Sequence, residues 1–215
     1  MGLELYRFME QFFGVSLAAL WAVFLWPSGA GRGVWLLVAG MLWVCWATPA
    51  SAQVVKVREF SLKAAYLFNF TQFIEWPSNS LDSAQAYIVV GVLGEDPFGA
   101  DLDQVMKGKT AAGRSFQIRH SRRLEDLVGC QVVYVCASEA RRVPEILARL
   151  QKTSALTVSD VDRFAERGGV ISLYMDGNKV RFKVNLDAAD RAGLKFSAQL
   201  LKLGKVIREN QDVKN

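Results

Sequence analysis

From Tyr87 onward, short apolar runs rich in β-branched residues alternate with segments patterned as helices, and this alternation constrains the fold most. Tyr87–Leu93 reads as a buried strand. Asp96-Pro97 then supplies a helix cap and a first-turn proline for a helix reaching Met106. Residues 115–119 and 131–135 read as two further strands. Ser138-Glu139 opens an amphipathic helix carrying Val143, Ile146, Leu147 and Leu150. Residues 156–158 form a fourth strand, and a turn of helix over 161–165 follows. Strands buried on both faces and joined by helices make a mainly parallel sheet with helices on either side. The expected fold class is α/β, in three layers.

The remaining segments modify that plan. Residues 170–175 and 179–185 flank Asp176-Gly177-Asn178, residues that accept the positive φ of a tight hairpin. Val180, Phe182 and Val184 alternate with Arg181 and Lys183, so one face of this antiparallel edge is wet. Residues 54–75 contain neither Gly nor Pro and run up to Trp76-Pro77, which suits a helix stopped before proline. Its apolar residues form two stripes, one of Phe60, Ala64, Leu67, Phe70 and Ile74, the other of Leu62, Tyr66 and Phe73. Such a helix is buried on several sides or awaits a partner. Asn69 lies among these aromatics and needs hydrogen-bond partners where buried. A final helical region over 187–207 is expected to break near Gly193, with Ser197 as a second cap and a polar tail at 211–215.

Residues 32–52 carry Arg32, an apolar run over 34–46 and the ending Ala50-Ser51-Ala52. A basic residue, a short apolar core and an Ala-x-Ala site are the parts of a secretory signal peptide. Cleavage is expected between Ala52 and Gln53. An earlier apolar run over 12–26 leaves three readings: a signal peptide with an over-extended start, an uncleaved anchor, or a short membrane hairpin. Both runs fall short of the ~20 apolar residues that cross a bilayer as a helix. Arg7 and Arg32 are too few to set orientation. Removing residues 1–52 leaves about 163 residues, one ordinary domain over 53–210 plus its tail. A domain outside the cytoplasm works without ATP, NAD or a reducing glutathione pool.

The net charge is +5, and the leader is neutral, so the exported part carries all of it. Lysines and arginines are scattered, with Arg122-Arg123 and Arg141-Arg142 the densest pairs. Nucleic-acid binders concentrate such charge on one face with aromatics between; no nucleic-acid partner is expected here. Cys130 and Cys136 remain after export. An even count in an oxidising compartment suggests a bond. Yet the intervening strand would hold the two Cα atoms roughly 20 Å apart, against the ~7 Å limit for a disulfide. Either that strand is short, or the thiols are unpaired or pair between chains. The absence of a bond within the chain is favoured.

No arrangement compels catalysis. Residues 91–99 end a strand and open a helix, yet the glycine spacing is not that of a nucleotide loop, and Glu95 and Asp96 would repel an anion. His120, the one histidine, stands among Arg119, Arg122 and Arg123 with no serine elbow or metal motif. Two cysteines and one histidine do not make a four-ligand zinc site. Asp160, Asp162 and Glu166 are of the type that binds a cation, but capping and helix-surface roles are the simpler explanation. Arg181 with Asn185 suits either a carboxylate clamp or a brace for the last helix, and bracing or solvation is the simpler role.

Residues 62–77, Leu-Lys-Ala-Ala-Tyr-Leu-Phe-Asn-Phe-Thr-Gln-Phe-Ile-Glu-Trp-Pro, resemble the opening helix of the YfiR-like periplasmic proteins. Their pattern is Lys-Ala-x-aromatic-Leu-x-Asn-Phe-x-x-Phe-x-x-Trp-Pro. Further matches are Gly94-x-Asp96-Pro97-Phe98-Gly99, residues 156–160, and Gly168-Gly169 before a hydrophobic strand. The last match covers 180–201. Together they span nearly all of 62–203 in order.

The resemblance implies a periplasmic, non-enzymatic regulator without a cofactor. It would form a homodimer and repress a membrane-bound diguanylate cyclase by binding its periplasmic region, lowering cyclic di-GMP and biofilm formation. Asn69, Trp76, Asp96, Phe98, Arg181 and Asn185 are the candidate ligand or partner surface. Cys130 and Cys136 are the redox candidates, because the family is thought to sense redox state through disulfides. This chain departs there, with one cysteine pair in place of two. The alternative is a periplasmic small-ligand-binding protein feeding a sensor or transporter, with its pocket near residues 94–98.

Overall fold

In the computed structural model, residues 50–77, 86–151 and 153–208 are described, with side chains from Glu59 onward. The leader expected over 1–52 lies outside them apart from its last three residues. The compact unit spans Ser51–Asn215.

The described residues begin with α1 (Ala50–Gln72) and the short strand β1 (Ile74–Glu75). The central part is β2 (Tyr87–Leu93), α2 (Ala100–Met106), β3 (Thr110–Ala111) and β4 (Arg114–Ser121). A 3-10 turn over Leu124–Leu127 leads to β5 (Val132–Val135). A second one over Ala137–Arg142 feeds α3 (Val143–Leu150), and β6 (Leu156–Ser159) follows. The chain closes with β7 (Ile171–Asp176), β8 (Lys179–Asn185), α4 (Leu186–Arg191), β9 (Lys195–Phe196), α5 (Ala198–Leu203) and β10 (Lys205–Ile207).

Eight strands form one mixed sheet in the order β10-β8-β7-β6-β5-β2-β4-β3. The pairs β4-β2, β2-β5, β5-β6, β6-β7 and β8-β10 are parallel. The hairpin β7-β8 and the edge pair β3-β4 are antiparallel. The expected α/β class with a mainly parallel sheet is the fold observed. Alternation along β2 sends Ile88, Val90 and Val92 into one core and Val89 and Leu93 into the other. The first core also holds Leu67 and Phe70 of α1 with Leu102 of α2. The second holds Val143, Ile146 and Leu147 of α3 together with Phe164. Helical elements therefore cover both faces, which is what strands apolar on both sides require.

Local patterns account for most boundaries. Tyr87–Leu93 and Lys179–Asn185 lie where their β-branched runs and turn residues put them. The helix expected from Asp96 starts later, at Ala100, because Asp96 Oδ1 accepts from the Phe98 N–H at 2.8 Å and holds residues 96–99 in a turn. The helical region expected over 187–207 is two short helices separated by β9, with β10 after them. Strand pairing decides this: Lys195–Phe196 pair with Ile74–Glu75, and Lys205–Ile207 pair with Lys183–Asn185.

The loop after β6 is tied to β8 by Glu166 and Lys183, whose ammonium also lies 5.6 Å from the Tyr174 ring centroid. Burial pushes the Glu166 carboxyl upward, but the Lys183 hydrogen bond and a backbone hydrogen bond outweigh it and hold the group below its ordinary value. A carboxyl lowered on folding stabilises the fold above its unfolded pKa, and that contribution disappears as pH falls through the folded pKa. Glu166→Gln is expected to cost between ~1 and ~3 kcal/mol at neutral pH. In urea titrations at a series of pH values, the gap between wild type and variant should close as the solution becomes acidic. A gap independent of pH would refute this assignment.

Candidate functional site

In open α/β sheets, ligands favour the carboxyl ends of strands where the chain order switches direction. Here that point lies between β2 and β5, since β2 is flanked by β4 on one side and β5 on the other. The chain's own side chains fill it. Gly94 has φ +105°, and a Cβ there would stand 2.4 Å from Ser138 Oγ. That hydroxyl accepts the Glu95 N–H at 2.9 Å. Phe98 is buried edge-on against Tyr134 at 4.7 Å and against Phe60 at 5.9 Å. Asp96, already capping its turn, also stands 3.4 Å from His120 Nδ1.

Lys63 of α1 closes this end from above. It is 3% exposed, donates to Asp160 Oδ2 at 2.7 Å, pairs with Glu59 and lies 4.7 Å from the Phe60 ring centroid. The Tyr134 hydroxyl is wholly buried beside Asp160, and burial followed by the Asp160 charge raises its pKa far above the usual phenol value. Next to this cluster lies a depression of about 540 Å³, lined by Ala137, Ala140, Asp160, Arg163 and Arg167 among others. Arg167 is held there by the Ala140 carbonyl at 3.2 Å.

A second concavity, of about 410 Å³, runs between α1, the β7-β8 hairpin and α5. Tyr66, Phe70 and Phe182 form its floor, with ring centroids 5.1–5.9 Å apart. The Tyr66 hydroxyl donates to the Val180 carbonyl at 3.2 Å and fixes the helix to the hairpin. Gly204 lets the chain pass over this floor, because a Cβ there would meet the Phe182 ring at 2.2 Å. Leu62 and Leu203 line the groove yet remain 43% and 65% exposed, and Val206 nearby is 41% exposed. Large apolar side chains left in solvent around a groove mark an interaction surface.

Of the residues singled out in the sequence, Asn69 and Arg181 both border this groove, although the Arg181 guanidinium lies 3.5 Å from Asp176 on the wet face of the hairpin. Asp96 and Phe98 sit at the filled carboxyl end of β2. Trp76 packs half-buried against the first core, with its indole Nε1 buried and without a hydrogen-bond partner. Asn185 is fully buried; its amide donates to the Ala165 carbonyl at 2.8 Å and accepts the Ala188 N–H at 3.0 Å, capping α4. Phe182, Leu200 and Leu203 of the groove carried no signal of their own, because an alternating strand or a short helix looks the same beside any core.

Cys130 and Cys136 are both free and buried, in different cores on opposite faces of the sheet. Burial pushes the Cys136 thiol up to about 12, with Asp96 and Asp160 adding to the effect, and burial likewise raises Cys130. Thiols so placed are unreactive. Among the described residues, no group of three or more His, Cys, Asp or Glu is placed to hold a metal ion. None of the described helices is long and apolar enough to cross a membrane.

Residues 60–205 match the model of a domain family, DUF4154, described as YfiR/HmsC-like. The chain belongs to the YfiR/HmsC-like family. The family supports a periplasmic regulatory role in broad terms, and its members are in general non-catalytic. No curated protein matches this YfiR/HmsC-like chain. Among solved structures it is similar to a conserved domain protein from Vibrio cholerae O1 biovar El Tor str. N16961. The TM-score is 0.46 at 10% identity, over 66% of this chain and 59% of that one. It is also similar to an ABC domain from Streptococcus pneumonia solved in complex with L-Trp. There the TM-score is 0.43 at 12% identity, over 60% of this chain and 58% of that one. The chain thus covers less than two thirds of either structure, and at these scores neither likeness bears on function.

Proposed function

We propose that this YfiR/HmsC-like chain acts in the periplasm by binding the periplasmic region of a membrane-bound diguanylate cyclase and holding it inactive. Membership of the family over residues 60–205 carries the reading. The solvent-exposed apolar groove beside α5 supports it, since a regulator that makes no bonds must work through its surface.

The mechanism is linkage. A regulator shifts a cyclase between two conformations only by as much as it prefers one over the other. A preference of ~2.7 kcal/mol changes the ratio about a hundredfold. Deleting the gene is expected to raise cyclic di-GMP, and restoring it to lower the level again. The full chain should also be retained by the immobilised periplasmic segment of the cognate cyclase. Cyclic di-GMP unchanged by deletion and restoration would overturn the proposal.

A further inference from the structure

We propose that the outer edge of β4 takes an added strand, an extended segment of a partner protein that sets an acid beside Arg119 and an apolar residue beside Ile118. This rests on the regulatory reading above, in which the chain works through its surface, and names one contact that it makes.

The edge is open because its cover is short. β4 has eight residues and pairs with β2 over 115–121, whereas on its other side β3 reaches only Arg114 and Ser115. Among the described residues, no strand pairs with 116–121 on that side. The direction of the backbone groups follows from two contacts. The Ser121 carbonyl accepts the Gly94 N–H at 2.9 Å, so Ser121 and, by alternation, Arg119 and Gln117 turn their backbone groups to β2. The tight hairpin that pairs Ala111 with Arg114 turns Arg114 the opposite way, to β3. The N–H and C=O groups of Ile118 and His120 therefore point outward. Such a row is a template for another extended backbone, and main-chain bonds of this kind hold an added strand.

Side chains choose the occupant. In register with β2, Gln117 and Arg119 share the face of Val89 and Gly91. Phe116 and Ile118 share the face of Ile88 and Val90, where they are half-buried against the first core. Arg119 is exposed and, among the described residues, in no ion pair. The acids around this end of β4 are engaged elsewhere: Glu95 stands 3.7 Å from Arg122, Asp96 lies 3.4 Å from His120, and Asp126 accepts the Ser121 hydroxyl at 2.7 Å. A second copy paired antiparallel over the open stretch 117–121 would set Arg119 directly opposite its own counterpart. Like charges so placed destabilise a strand pair, whereas an opposite charge stabilises it. The same arginine thus blocks self-pairing and selects a foreign strand with Asp or Glu at that position. The neighbouring residue of that strand falls on the other face, where an apolar side chain covers Ile118.

The test is selection of displayed random peptides of roughly 10 residues on the immobilised full chain, followed by anisotropy titration of the fluorescein-labelled peptides. The expected peptides carry an acid next to a β-branched or aromatic residue. Their affinity should fall at least about tenfold in Arg119→Glu and recover when the peptide's acid is changed to lysine. Ile118→Pro should abolish binding with little loss of stability, because proline is tolerated where the N–H faces away from the sheet. Circular dichroism checks the fold, and His120→Pro repeats the test at the other outward N–H. Amide hydrogen exchange gives a readout free of substitutions: Ile118 and His120 should exchange fast in the free chain and at least about tenfold more slowly with peptide, while Gln117 and Arg119 are slow throughout.

No selected peptide, binding indifferent to Arg119→Glu and both proline variants, or Ile118 and His120 amides already protected in the free chain would overturn the proposal. So would a dimer in light scattering that Ile118→Pro dissolves, which gives the edge to a second copy. Retention on a cyclase segment that ignores these variants would remove this proposal and leave the regulatory reading standing. Edge-dependent peptide binding with unaltered cyclic di-GMP would do the reverse.

Discussion

Replacing Lys63 by alanine is expected to destabilise the domain by about 3–5 kcal/mol, the cost of removing one partner from a buried ion cluster. Lys63 pairs with both the Glu59 and the Asp160 carboxylates, and the buried Tyr134 hydroxyl stands beside Asp160. Without Lys63, the Glu59 and Asp160 carboxylates lose the ammonium they share. For a domain of this size the fall in Tm should be about 8–16 °C. Lys63→Met keeps most of the aliphatic stem and separates packing from charge. Adding Asp160→Asn to Lys63→Met should restore part of the loss, because the residual penalty is the uncompensated carboxylate. Urea unfolding of the four proteins gives the comparison through the midpoint and slope. If Lys63→Ala stays within ~1 kcal/mol of wild type, the cluster behaves like an exposed pair and the role assigned to it is wrong.

The second large effect is expected at Asn185. Its side chain makes one hydrogen bond into the loop after β6 and one to the first turn of α4. Asn185→Ala leaves the Ala165 carbonyl without that donor inside the fold and removes a helix cap, for a total of about 2–4 kcal/mol. Asn185→Asp keeps the cap but places a charge against the Ala165 carbonyl, so it should be no better than alanine. Thermal unfolding measures both. At a temperature where Asn185→Ala is still folded, retention on the partner segment should match wild type. Loss of partner binding by a fully folded Asn185→Ala would show that the residue acts at a contact surface.

The sequence made the sheet legible because its strands are short, β-branched and buried on both faces, a pattern that needs no tertiary information. It was less informative where an element exists only through a distant partner. α1 ends at Gln72 and not at the expected position 75, because Ile74 and Glu75 pair with Phe196 and Lys195. Likewise β10 looks helical until Val184 stands beside Val206. Lys63 passed as one of many scattered cations, although it lies on the stripe of Phe60, Ala64 and Leu67, four residues from Glu59. A lysine on an apolar stripe, with an acid one turn before it, was the available signal. Asn69 and Arg181 were noticed separately, and only the packing of α1 on the hairpin brings both to the border of one groove. Asn185 drew notice as a polar residue closing a strand, a description that fits a cap as well as a site.

The hydrogen bond from Tyr66 to Val180 joins the first helix of the domain to its last hairpin. A polypeptide that emerges amino end first therefore presents the aromatic side of α1 long before the segment that covers it has been made. Contacts this distant in sequence form slowly, and the uncovered rings are prone to stick to other chains meanwhile. Truncation before or within β8 would expose them permanently, so the shortest fragment that stays soluble must reach past the hairpin.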